Sequence, residues 1–197
     1  MARAPGTTGG RRALAVAVAA CLVPLGACTD DSDEPSPPSA GPESVALELS
    51  LGPGADGLST EARDDLQNDV GAVLTTYVVE GFLGDYPRDD FVGVLDSFTS
   101  GGARKAATDI DKVTGAGLKN ADEVEATRLE ASISTFAPDQ EAVGVSAHVD
   151  FAFDVTEGES TREVTLRGRL MLMPVDGEWK IFGFQLVTDD PASGAVS

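Results

Sequence analysis

Cysteine is scarce in this sequence: the chain has two, Cys21 and Cys28, and both lie in its first 28 residues. The region that follows can form neither a disulfide nor a thiolate metal site, so its stability must come from apolar burial. Histidine is scarcer still, since His148 is the only one. Gly-x-Ser-x-Gly, His-Glu-x-x-His and phosphate-loop motifs are also absent. We therefore predict no catalytic residue, no metal and no cofactor.

Positive charge is the second deficiency. The chain has 14 Lys and Arg against 33 Asp and Glu, a formal net charge of −19. Three of the basic residues and none of the acidic ones precede residue 28, so a chain that starts there carries −22. Phosphate backbones repel such a chain, and we expect no nucleic acid among its partners.

A hydrophobic run long enough to span a membrane is missing as well. The apolar block at residues 13–25 has thirteen residues, and a spanning helix needs ~20. Arg3, Arg11 and Arg12 precede the block, and a basic start with a short apolar core is typical of a signal peptide. The Arg11-Arg12 pair leaves the export route open between the general secretory and twin-arginine systems.

The apolar block ends in Leu25-Gly26-Ala27-Cys28, which resembles the lipobox of bacterial lipoproteins. The resemblance implies that the chain is cut just before Cys28 and that the Cys28 thiol carries diacylglycerol with fatty acids such as palmitate. It also implies that the mature chain is held by this lipid on the extracytoplasmic face of the cell membrane.

Composition divides the rest of the chain. Residues 29–44 contain four prolines and five acids and no large apolar residue, so they cannot bury a core and predict an extended tether. About 150 residues then remain, enough for one domain. The predicted organisation is a signal peptide at 1–27, an acidic Pro/Ser-rich tether at 28–44, one α+β domain at 45–190 and a flexible tail at 191–197.

Helical spacing dominates the first half of the predicted domain. Alternating apolar residues first predict a strand at 45–51, although the pattern does not give its place in the sheet. Apolar residues three and four apart then predict a helix at Thr60–Glu80 with Ser59 as its N-cap. A short second helix is expected around Phe91–Phe98. A third helix is expected to follow, with Ser100 as its N-cap.

After Asn120 the apolar period changes to two, which is typical of strands. Turn signals at 137–140, 156–161 and 176–177 divide this half into four strands joined as an antiparallel meander. The sequence therefore predicts an α+β domain with N-terminal helices packed on a curved, mainly antiparallel four-stranded sheet. Matching apolar residues across the turns gives a trial register. It pairs Ile133 with Val145, Phe151 with Leu166, Leu172 with Ile181, and Met171 with Phe182.

In this register the helix-facing side of the sheet is almost wholly aliphatic and aromatic, and the opposite side carries two groups of residues. The first is a charge lattice with Arg128, Asp150 and Arg167 in one row and Glu130, His148 and Arg169 in the next. The second is an apolar patch of Met171, Met173, Phe182, Phe184 and Leu186. Adaptable methionines beside aromatic anchors suit a contact surface, so we expect a homodimer or an envelope protein to dock there.

The last predicted strand lies within DGEWKIFGFQL at residues 176–186. Three helices followed by long antiparallel strands with this ending resemble the nuclear transport factor 2-like superfamily of α+β cones. Its members often finish with Gly-x-Trp-Lys-Ile-x-x-Phe, and Gly177, Trp179, Lys180, Ile181 and Phe184 fill those places. The resemblance covers roughly residues 59–188. It implies the cone fold and leaves function open, since the superfamily includes isomerases, dehydratases, epoxide hydrolases, dimerisation modules and envelope proteins.

We therefore expect a membrane-anchored extracytoplasmic lipoprotein whose non-catalytic cone domain binds a partner protein or a small apolar ligand. The alternative is a small hydrolase or isomerase whose site lies in the cone mouth, beneath Tyr77, Asp85 and Tyr86. Gly52–Gly57 also matches the dinucleotide motif G-x-G-x-x-G. We interpret it as a turn before a helix, because antiparallel hairpins provide no parallel sheet for a cofactor crevice.

Overall fold

The computed structural model describes residues 45–194, which form an α+β domain with helices and a five-stranded, mostly antiparallel sheet. The predicted signal peptide, Cys28 and the tether lie outside the described residues, as does the end of the predicted tail. The described α-helices and strands are, in chain order, β1 (Glu48–Leu51), α1 (Thr60–Phe82), α2 (Ser100–Thr108), α3 (Ile110–Val113), β2 (Glu123–Phe136), β3 (Gly144–Glu157), β4 (Ser160–Val175) and β5 (Glu178–Asp189).

The sheet has the strand order β1-β2-β3-β4-β5. Strands β2 to β5 form the predicted antiparallel meander, whereas β1 lies parallel to β2. The α+β prediction is confirmed, but the predicted number of four strands is wrong. A parallel pair needs a long crossover, here the helical segment between β1 and β2, so local alternation showed a strand without showing its neighbour. With this one parallel pair the sheet is still mainly antiparallel, as predicted.

Helix α1 begins as predicted at Ser59, whose Oγ accepts a hydrogen bond from the Ala62 N–H at 3.1 Å. It buries one side against the sheet and continues to Phe82, two residues beyond the predicted end. Gly84 then adopts φ +114°, a left-handed conformation that side chains rarely tolerate. The glycine therefore turns the chain away from the helix.

The two later helical segments differ from the prediction. The expected second helix is a 3-10 turn at Val92–Ser97. The N-cap of α2 is Thr99 and not Ser100, because the Thr99 Oγ1 accepts from the Gly102 N–H at 3.1 Å. The single third helix that we predicted is divided at Asp109 into α2 and the one-turn helix α3.

Packed side chains fill the space between the helices and the sheet. The ring of Phe82 stacks on that of Phe153 with centroids 4.9 Å apart, and both residues are fully buried. Tyr77 is also fully buried, and its Oη donates to the Val113 carbonyl oxygen at 2.6 Å. Burial raises the pKa of the Tyr77 hydroxyl, which therefore stays protonated and able to donate. The interior is a core of aromatic and aliphatic groups.

Two of the four predicted strand pairs are confirmed, Phe151 with Leu166 and Leu172 with Ile181. The prediction for β2 and β3 is wrong by two positions, because Ile133 pairs with Ala147. The prediction assumed that apolar residues of the two strands face each other. In the structure the apolar Val145 faces the polar Thr135. A shift of two keeps every side chain on its predicted face, since the period of a strand is two.

The fourth predicted pair, Met171 with Phe182, is wrong because β5 has a bulge, and Met171 faces Gly183 instead. The additional residue inverts the alternation after Phe182. Phe184 therefore turns inward, where it is 6% exposed and its ring meets the edge of Phe98 at 6.2 Å between centroids. Leu186 likewise packs against the core. Phe184 and Leu186 are thus excluded from the predicted outward patch.

The glycine-rich segment Gly52–Gly57 packs against β2. The Gly52 N–H donates to the Ile133 carbonyl oxygen, and the Pro53 carbonyl oxygen accepts from the Thr135 N–H, both at 2.8 Å. Gly54 has φ +89°, and a Cβ there would lie 1.9 Å from the Thr135 carbonyl oxygen. The glycines thus serve a close backbone contact. The Gly52 N–H, which a phosphate could otherwise use, is already bonded to β2.

Candidate functional site

The candidate site is the outer face of the sheet, the face that points away from the helices. It carries two adjoining groups of residues at different heights along the strands. The charged patch consists of Arg128, Glu130, His148, Asp150, Arg167 and Arg169. The apolar patch that the structure shows keeps Met171, Met173 and Phe182 of the predicted patch and adds Phe136 and Val143.

Asp150 is the centre of the charged patch. Its Oδ1 accepts from Arg128 Nη2 at 2.9 Å and its Oδ2 from Arg167 Nε at 3.1 Å. The hydrogen bond from Arg128 holds the pKa of Asp150 below its ordinary value, and Arg167 adds to this effect. The three side chains are in contact as predicted, although Arg128 stands opposite Ala152 and reaches Asp150 diagonally. Exposed pairs of this kind stabilise a fold little, so the cluster mainly orients its charges.

The second predicted row is wrong in one member, because of the shift between β2 and β3. Glu130 stands beside Asp150, and His148 lies between Ser132 and Arg169. His148 is exposed on the outer face. Arg169 Nη2 donates to Gln185 Oε1 on β5. Each of the two guanidinium groups that β4 contributes to the charged patch is therefore held by a neighbouring strand.

In one row of the outer face the charge changes sign across the sheet, while Arg128 of β2 reaches into this row at Asp150. Glu48, Glu130 and Asp150 form a row of carboxylates on β1, β2 and β3, and Arg167 and Arg169 follow on β4. A groove of about 570 Å³ lies over the acidic side. Among the described residues, no group of three or more His, Cys, Asp or Glu is placed to hold a metal ion. Carboxylates side by side are unfavourable, and the bonds from Arg128 and Arg167 to Asp150 offset this at one end of the row.

The apolar patch forms a shallow groove of about 510 Å³. Phe136 is 68% exposed, Phe182 46% and Met173 40%. Gly183 leaves room in the floor of the groove, since a Cβ there would meet Met171 Cε at 3.0 Å. The sequence pattern missed Phe136 and Val143. Phe136 was recognisable, because it continues the outward alternation of Arg128 and Glu130.

The predicted cone-mouth residues do not assemble into an acid–base site. The Tyr77 hydroxyl is buried and donates to the Val113 carbonyl oxygen. The Tyr86 hydroxyl donates to the Phe82 carbonyl oxygen at 2.8 Å. Asp85 lies exposed on the surface. Both hydroxyls therefore serve packing within the described domain.

Comparison with known proteins gave no match: no family model matches the chain, and neither a curated protein nor a solved structure does. Within residues 45–194, no helix is both long and apolar enough to cross a membrane. The geometry of the outer face carries the functional inference.

Proposed function

We propose that the protein is a membrane-anchored extracytoplasmic lipoprotein whose non-catalytic domain binds a partner protein in the cell envelope. The lipobox-like Leu25-Gly26-Ala27-Cys28 supports the anchor, and the Pro-rich residues 29–44 support a tether that holds the domain off the membrane. The helices and the long antiparallel strands support a cone of the nuclear transport factor 2-like type.

The contrast between the two faces of the sheet carries the proposal. The inner face is filled by buried rings such as Phe82 and Phe153, which leaves the interior as a core. The outer face exposes Phe136, Phe182 and Met173 to solvent. Large apolar side chains gathered on one surface mark an interaction site more often than a scattered few do. Binding is therefore assigned to the outer face.

A protein fits this surface better than a small apolar ligand does. The groove over the apolar patch is open, whereas sites for small ligands are concave and bury most of the ligand. Charged side chains adjoin the apolar patch along the strands, and protein interfaces likewise combine apolar groups with polar ones. Aromatic residues and methionine are also enriched at such interfaces.

Replacing Phe182 with aspartate tests the assignment of the binding face. We expect the substitution to reduce the crosslinking of the lipid-anchored chain to its partner about tenfold, because a charge must be desolvated at an apolar contact. The measurement is the yield of adducts after treating intact cells with an amine-reactive crosslinker. Phe182 is 46% exposed, so the folded domain tolerates the charge.

Val92→Asp is the matched control. Val92 is 66% exposed and lies in the 3-10 turn between α1 and α2, away from the outer face. This variant should keep the adduct yield of the unaltered chain. Equal yields for both variants and the unaltered chain, or a loss in Val92→Asp alone, would remove the outer face from the proposal.

A further inference from the structure

We propose that the free edge of β1 is a second docking site, to which an extended segment of another protein adds as a further strand of the sheet. The segment that fits this edge alternates basic and apolar residues. The edge is separate from the apolar patch, so the inference goes beyond the proposed function. β1 stands at one end of the strand order, and an edge strand presents unpaired backbone groups on which another strand can form.

The backbone of β1 offers hydrogen bonds on the side away from β2. The Gly52 N–H donates to the Ile133 carbonyl oxygen of β2. Because backbone groups alternate in direction along a strand, Leu49 and Leu51 direct theirs to the opposite side. Among the described residues, one hydrogen bond reaches these groups, from Gln67 Nε2 to the Leu49 carbonyl oxygen at 2.7 Å. A carbonyl oxygen has two lone pairs, so this one can still accept from an incoming strand.

The opposite edge of the sheet is treated differently. On β5 the Ile181 carbonyl oxygen accepts from the Thr99 N–H at 2.9 Å, and Phe98 forms a parallel bridge with Ile181. Helix α2 begins at this point, and a Cβ on Gly102 would lie 2.6 Å from the same carbonyl oxygen. The chain thus covers part of the β5 edge, whereas no described segment pairs with the free edge of β1.

Charge on the outer face favours basic side chains in the incoming segment. A strand that joins β1 places every second side chain on the outer face, beside Glu48 and near Glu130. Both carboxylates are exposed, and neither takes part in a salt bridge within the described domain. Arg128 of β2 reaches to Asp150 on β3, away from this edge. A lysine or arginine of the segment beside Glu48 would therefore offset the repulsion between the neighbouring carboxylates.

The inner side of the same edge favours apolar side chains. A groove of about 560 Å³ lies between β1 and α1 and is lined mainly by aliphatic residues, among them Leu47 and Leu83. In this groove Val45 is 36% exposed and Val79 of α1 is 45% exposed. Side chains that alternate with the basic ones would enter the groove and bury these valines. In strand addition the main-chain bonds give affinity, and sites for alternate side chains give specificity.

Charge disfavours two other occupants of the edge. A second copy of this chain would set the carboxylates of two acidic edges together. Residues 29–44 have five acids and no Lys or Arg, and their four prolines cannot donate a backbone hydrogen bond. A basic segment of another protein instead complements a chain that carries −22 if it starts at Cys28.

A fluorescent peptide that alternates lysine and valine is the probe, and its anisotropy with the purified chain measures binding. We expect it to bind about tenfold more tightly than a matched peptide that alternates glutamate and valine. Methylating the backbone nitrogens of its lysines blocks one edge of the peptide, and methylating those of its valines blocks the other. One methylated peptide should lose about tenfold in affinity and the other should keep it, because a strand pairs with β1 through one edge.

Charge reversal at Glu48 tests the site on the protein. We expect Glu48→Lys to weaken binding of the lysine peptide about tenfold and to strengthen binding of the glutamate peptide, a gain that an unfolded chain would not show. Glu159→Lys makes the same change of charge at an exposed position in the turn between β3 and β4, and it should keep the affinity of the unaltered chain. Unchanged affinities in Glu48→Lys, or an equal loss in Glu159→Lys, would overturn the inference.

Two further variants separate the edge from the apolar patch. Val79→Asn should weaken the lysine peptide several-fold without changing the charge, whereas Val92→Asn should not. Phe182→Asp should leave the peptide bound, because Phe182 belongs to the apolar patch. A loss of peptide binding in Phe182→Asp, or equal binding of the two methylated peptides, would contradict strand addition at β1. Neither result would decide the crosslinking experiment on the outer face, so the two proposals fail separately.

Discussion

Replacing Phe153 with alanine is expected to lower the free energy of unfolding by about 3–5 kcal/mol. Phe153 is fully buried, and its ring lies 10° from parallel to that of Phe82. The substitution removes the stacked ring and leaves a cavity between β3 and α1, because close-packed neighbours relax only in part. Urea denaturation of the purified chain measures the loss as a lower midpoint.

Phe136→Ala is the control for this prediction, since it makes the same chemical change on the outer face. Phe136 is 68% exposed, so its loss should change the free energy of unfolding by less than about 1 kcal/mol. Equally small losses in the two variants would show that the interior is loosely packed. A cone that carries an apolar ligand inside would then replace the proposed binding module.

Replacing Cys28 with serine is expected to abolish incorporation of fatty acid into the chain. A thioether to diacylglycerol requires the thiol, and a serine hydroxyl does not replace it in the lipoprotein family that Leu25-Gly26-Ala27-Cys28 resembles. A covalently attached acyl chain binds membranes in proportion to its buried methylene groups, at about 0.8 kcal/mol each. The measurement is labelling of growing cells with an alkyne fatty acid, followed by detection of the label on the isolated chain.

Cys21→Ser distinguishes lipid on Cys28 from a general effect of removing a thiol. Cys21 lies within the predicted signal peptide, which is cut away in the proposed maturation. The Cys21→Ser chain should therefore keep its label in full. Label that persists in Cys28→Ser, or that disappears in Cys21→Ser, would contradict the assignment of the anchor.

Local patterns in the sequence predicted the elements of the fold well. The cap at Ser59 and the spacing of apolar residues gave α1 to within two residues of its end. The Asp176-Gly177 turn gave the pair of Leu172 with Ile181. Each of these features depends on residues that are near one another in the chain, so the sequence displays them directly.

Features that depend on distant residues were harder to predict. The pairing of β1 with β2 joins segments that are far apart in the chain, such as Glu48 and Glu130, and no turn marks it. The shift between β2 and β3 moved Glu130 from His148 to Asp150, yet it left the members of the charged patch on the predicted face. Only the register within the patch was wrong, because a shift of two preserves the alternation.

The bulge in β5, unlike the shift between β2 and β3, moved residues of the predicted apolar patch to the other face of the sheet. One additional residue at Phe182 inverts the faces of all residues that follow, so Phe184 and Leu186 turn into the core. There Phe184 packs beneath the helices, with Lys105 Nζ 4.6 Å from its ring centroid. A bulge is a property of two strands together, and the alternation within one strand cannot reveal it.

Photocrosslinking from defined positions tests most directly the claim that the lipid-anchored domain binds through its outer face. A photoreactive residue replaces Phe182 or, in a second chain, Val92, and intact cells are irradiated. We expect adducts from position 182 and none from position 92, since both side chains are exposed but lie on different surfaces of the domain. Adducts from position 92 alone, or equal adducts from both, would contradict the claim.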